Sequence, residues 1–106
     1  MPRFYVMGTY GADGVKGFVG GSDQAAAVEA IVEAVGGSLP NLSFTSGEHD
    51  IIVDVEAPIA IAMMGVIAAG RASGFFENLS YLECIEMAPI ISEAQKIAAI
   101  YKPANS

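Results

Sequence analysis

Along residues 51–56, Ile-Ile-Val-Asp-Val-Glu, apolar and polar positions alternate, with Ile51, Val53 and Val55 on one face and Asp54 and Glu56 on the other. A period of two marks a half-buried strand. Residues 3–10 are rich in aromatic and branched side chains and run into Gly11-Ala12-Asp13-Gly14, which predicts a strand followed by a turn. Over residues 24–35 the period lengthens. Val28, Ile31, Val32 and Val35 fall on one face of a helix and Glu29 and Glu33 off it, with Ser22 or Asp23 to cap its start and Gly36-Gly37 to end it. Residues 39–45 read as a strand interrupted by Pro40, which lacks an N–H for a ladder and belongs at a sheet edge. Residues 57–70 carry no charge and begin with Pro58 at a natural first-turn position, predicting a helix apolar on every side but too short to span a bilayer. A strand over residues 75–86 follows. A last helix over 88–101 has Ile90, Ile91, Ala94, Ile97 and Ala98 at helical spacing, and Lys96 and Lys102 near its end suit the helix dipole.

Strand, helix, strand, strand, helix, strand, helix is the split βαβ order of an α+β, ferredoxin-like sandwich with one helix added. The plan predicts a single domain over residues 1–106 and a four-stranded antiparallel sheet of order 4-1-3-2. Phe4, Val6, Gly8, Ile51, Val53 and Val55 would face the helices. The other face would carry Tyr5, Met7 and Ile52 among charges, more apolar surface than a monomer ordinarily leaves in water, so a second subunit is expected there. Arg3, at the start of the first strand, would lie near Asp54 and Glu56 at the end of the antiparallel third and form an ion pair. The uncharged helix predicts a second contact, through Met64 and Ile67, with small residues at Gly65, Ala68, Ala69 and Ala72 to admit a neighbour.

Composition sharpens this picture. Apolar residues are 53% of only 106, too many for one small domain to cover alone. A net charge of −7, with five scattered cations, argues against nucleic acid or an anionic membrane as partner. The one cysteine, Cys84, excludes an internal disulfide and a cysteine-rich zinc site, and reads as a buried, inert thiol. With no charged-then-apolar leader after Met-Pro-Arg-Phe, a cytoplasmic location is expected.

Gly47-Glu48-His49-Asp50 followed by Ile-Ile-Val-Asp-Val-Glu-Ala-Pro resembles the GYD domain proteins, small bacterial proteins named for a Gly-Tyr-Asp signature before a strand ending in Glu-Ala-Pro. The likeness extends to the opening strand, to Gly14-Val15-Lys16, to the Ala-rich helix ending at Gly36-Gly37, and to residues 87–98. It implies a ferredoxin-like fold associating through its sheets, similar to the dimeric α/β barrels, with no established activity. Two departures stand out: His49 replaces the signature tyrosine, and the second helix opens on Ile59-Ala60-Ile61-Ala62-Met63-Met64 where the family usually carries charge.

His49 is the only histidine and the only side chain whose ordinary pKa is near neutrality. At the start of its strand it would reach the opening between sheet and helices, with Tyr10 as hydrogen-bond partner and Lys16 and Asp50 nearby. Glu48, Asp50, Asp54 and Glu56 crowd the same region, but neighbouring strand residues point opposite ways. They read as a solvated or interface-paired acidic edge, and no metal site is expected. Asp50 would also satisfy backbone donors in the turn. The glycine-rich run after the first strand lacks a phosphate-cradle lysine and a dinucleotide fingerprint, so no cofactor is expected. The reading favours a self-associating module, binding a small apolar or aromatic molecule in a sheet–helix cleft around His49. The alternatives are a cofactor-independent enzyme of the dimeric α/β barrel kind, using His49 with Tyr10, and a purely structural assembly.

Overall fold

The structure is a computed structural model and describes residues 1–101. Its elements are β1 (Arg3–Tyr10), α1 (Ala12–Val19), α2 (Gln24–Ala34), β2 (Ser38–Phe44), β3 (Ile51–Glu56), α3 (Ala60–Ala72), β4 (Phe76–Glu83) and α4 (Met87–Ile100). The strands form one antiparallel sheet of order β2-β3-β1-β4, the expected arrangement. Pro40 lies on the edge strand β2, where the register against β3 shifts between Ser38 and Asn41.

The expected face assignment holds. Phe4, Ile51, Val53, Val55 and Leu79 pack with Val32 of α2 and Met63 and Ile67 of α3 into one core. α2 is capped by Asp23, whose side chain accepts from the Ala26 N–H at 3.0 Å. It ends where Gly36 turns with φ +74°, a conformation that favours glycine. α2 packs towards β2 and α3 towards β4. The middle strands β3 and β1 therefore floor a trough between the two helices. Among the described residues, no helix covers the opposite sheet face. Tyr5 is 41% exposed and Leu82 60% exposed there, with Met7 and Ile52 half-buried.

Four expectations are corrected. The chain after β1 is the helix α1, not a turn. Gly14 and Gly17, poor helix formers, masked it, and Gly14 is there because a Cβ at that position would meet the Phe75 carbonyl oxygen at 2.3 Å. Tertiary contact outweighs propensity. α3 begins at Ala60 rather than at Pro58, because Ile59 is extended (φ −143°, ψ 150°) and Ala57 still pairs its N–H with the Pro2 carbonyl at 3.0 Å. Ile67, expected at a subunit contact, is 2% exposed and sits in the core. Cys84 is exposed, since β4 ends at Glu83 and nothing packs over the residues that follow. Lys102, expected near the end of the last helix, lies outside the described residues. No helix among the described residues is long and apolar enough to cross a membrane.

Candidate functional site

The trough between α2 and α3 is a cleft of about 740 Å³ floored by Val6, Ile51, Val53 and Val55. That volume is in the range that takes a small organic molecule. α2 contributes Val28, Ile31, Val32 and Val35, the stripe read from its period, and α3 contributes Ala62, Met63, Gly65, Val66 and Ile67. A Cβ at Gly65 would meet nothing within 4 Å, so this wall faces open space. Polar side chains enter the lining only at Ser22, Asp23, Gln24 and Ser73. They gather at one end because α2 starts and α3 stops there, beside the end of β1, whose Tyr10 pairs with Phe76 at the start of β4. Phe75 and Phe76 line the same end. The Tyr10 ring stacks on Phe76 with centroids 5.6 Å apart and meets Phe75 edge-on at 5.7 Å. The cleft is thus apolar along its length and polar and aromatic at one mouth.

Of the residues singled out in the sequence, Tyr10 and Asp50 are brought together, whereas His49 and Lys16 share no cavity with them. His49 lines neither this cleft nor a smaller cavity of about 260 Å³ between α1 and β2, whose wall includes Tyr10, Phe18, Thr45 and Asp50. Lys16 is exposed on α1 and also lines neither. Asp50 is a clasp: its Oδ2 accepts from the Tyr10 N–H at 2.8 Å, and its own N–H donates to the Gly8 carbonyl at 2.8 Å. The His49 carbonyl accepts from the Thr45 hydroxyl. Among the described residues, the Tyr10 hydroxyl and His49 Nδ1 are buried without a hydrogen-bond partner. Burial, with the Asp50 charge as the smaller cause, pushes the Tyr10 phenol above its ordinary pKa, so it stays protonated at neutral pH. No three of the described His, Cys, Asp and Glu side chains group as a metal would need. The cleft's second wall escaped sequence reasoning because α3 is apolar on every side, so its pattern does not say which side is free.

The model of the GYD domain family matches residues 4–92. Among solved structures the chain resembles FFRP-DM1 (16% identity, TM-score 0.54, covering 80% of this chain and 100% of that one). It also resembles TTHA0845 from Thermus thermophilus (14%, 0.54, 81% and 95%). A third likeness is to the hypothetical protein PHS023 from Pyrococcus horikoshii (17%, 0.52, 81% and 92%). At these identities the likeness establishes the fold alone. No curated protein matches the chain.

Proposed function

We infer that this chain, which belongs to the GYD domain family, is a self-associating module that binds a small apolar molecule in the cleft between α2 and α3. One observation carries the reading: about 740 Å³ of open space whose walls are almost wholly apolar, with polar groups confined to one mouth. Such a site selects a hydrocarbon or aromatic body and places any polar end of it beside Ser22, Gln24 and Ser73. No catalytic step is assigned to it. Self-association is supported by the helix-free sheet face, where Tyr5, Met7, Ile52 and Leu82 leave an apolar patch.

The test is titration with N-phenyl-1-naphthylamine, an uncharged probe that fluoresces in apolar surroundings. Saturable binding by the wild type is expected. Ile31→Asp puts a charge on the cleft wall at a residue 48% exposed, where the fold tolerates it. It should weaken binding about ten-fold or more. Gly65→Leu fills the open side of α3 and should do the same. Failure of the wild type to bind the probe, or equal affinity in both variants, would overturn the reading.

A further inference from the structure

Among the described residues, no other element packs against the helix α4 to any extent. Every residue from Leu82 to Tyr101 is exposed. The described molecule measures 64 × 29 × 22 Å with a radius of gyration of 18.3 Å, against about 13 Å for a compact domain of this size. α4 accordingly stands off the body with all its sides accessible. A solitary helix of fourteen residues is marginal in water, and its order has to come from packing.

The sequence of α4 says what packs on it. Met87, Ile90, Ala94, Ile97 and Tyr101 recur at alternating steps of three and four, the a and d positions of two heptads, with Ile91 and Ala98 beside them. Met87, Ile90, Ile91, Ile97 and Tyr101 are between 45% and 71% exposed. No charge enters the stripe. Glu93 and Lys96 pair with each other at 3.0 Å away from it. The stripe is also nearly symmetric about its centre: Ile91 and Ile97 lie three residues to either side of Ala94, and at four residues the large Ile90 is matched by the small Ala98. The large ends, Met87 and Tyr101, are equidistant from it. An antiparallel copy of the same helix fits such a surface: large side chains meet across the ends, and the small Ala94 lets the backbones approach at the crossing point. A patch complementary to itself is what a two-fold contact requires.

We propose that α4 pairs antiparallel with α4 of a second copy of this chain, crossing at Ala94, as a contact separate from the sheet face. Two heptads are short for a lone coiled coil. The pair therefore joins one sheet-associated dimer to another, and in this the inference rests on the self-association proposed above. Two distinct two-fold contacts in one chain build an assembly larger than a dimer.

Two measurements on the full-length chain test it. In a Cys84→Ser background, Ala94→Cys places a thiol on the expected two-fold axis, and mild oxidation should yield a covalent dimer on a non-reducing gel. Ser92→Cys, on the opposite side of the helix, should not. No covalent dimer from Ala94→Cys, or equal yield from both, overturns the antiparallel pairing. In light scattering, Ile90→Glu with Ile97→Glu should roughly halve the wild-type mass. Because these side chains are exposed in the protomer, circular dichroism should confirm that the body stays folded. Unchanged mass overturns the proposal. If Leu82→Asp lowers the mass while the α4 pair of substitutions does not, the α4 contact fails and the sheet contact stands. A monomeric wild type overturns both.

Discussion

Arg3 grips Asp54 with two hydrogen bonds across the β1–β3 ladder, its Nε donating to Oδ1 at 2.8 Å and its Nη2 to Oδ2. The two residues are diagonal neighbours, since Arg3 itself faces Glu56 and Asp54 faces Tyr5. Asp54 is only 9% exposed, so its carboxylate relies on this partner. The guanidinium's hydrogen bonds, helped by its charge, hold the Asp54 pKa below the ordinary carboxylate value, against the opposing effect of burial. In turn, the carboxylate raises the pKa of Arg3.

The first prediction follows from that shift. An unfolded aspartate takes up its proton near pH 4, whereas folded Asp54 does so only at lower pH, so beneath about pH 4 the unfolded state binds more protons and stability falls as pH drops. Asp54→Asn should lower stability at pH 7, because it leaves Arg3 without its charge partner, and should flatten the acid limb. Urea denaturation at pH 7 and through the acid range measures both effects. An unaltered acid limb in the variant would count against the pair.

Tyr10 titrates in the opposite sense. With its folded pKa raised, the unfolded state loses the phenolic proton first, so stability is present at neutral pH and declines as pH rises past about 10. Its hydroxyl is buried without a described partner. Tyr10→Phe should therefore raise stability at pH 7 by about 1 kcal/mol and remove part of the alkaline loss. Denaturant midpoints at neutral and alkaline pH decide it, and a large loss at pH 7 would show that the hydroxyl has a partner in solution.

Two helical glycines should respond with opposite signs. Gly14→Ala drives a methyl into the Phe75 carbonyl and should cost roughly 1–3 kcal/mol. Gly65→Ala adds a methyl to open space in mid-helix and should gain roughly 0.5–1 kcal/mol. Thermal unfolding of the two variants compares them directly.

Met64 and Ile67, three residues apart on α3, should separate assembly from stability. Ile67→Ala opens a hole in the core beside Met63 and should cost about 2–5 kcal/mol. Met64 is 54% exposed, so Met64→Glu should leave the unfolding midpoint close to wild type. Any change in its mass by light scattering would place this side of α3 in a subunit contact.

The sheet is legible in the order of residues alone. Apart from Ile52, residues 51–56 alternate, which sets Ile51, Val53 and Val55 on the buried face, and the order of elements then left β1 and β3 at the centre and Pro40 on an edge. The stripe on α2 and the Arg3–Asp54 pair were legible for the same reason, because each is a consequence of local periodicity. Packing settled the rest, where local pattern is silent or outweighed. α1 forms despite its glycines because Gly14 allows close approach to Tyr10 and the Phe75 backbone. α3, apolar all round, took its orientation from packing, which sent Ile67 inward and left Met64 outside. His49, conspicuous as the only histidine, lines neither cavity, while the larger cleft is built from unremarkable valines, isoleucines and alanines. A titratable residue announces itself in a sequence, but a cavity is empty volume, set by how far apart two helices settle on a sheet.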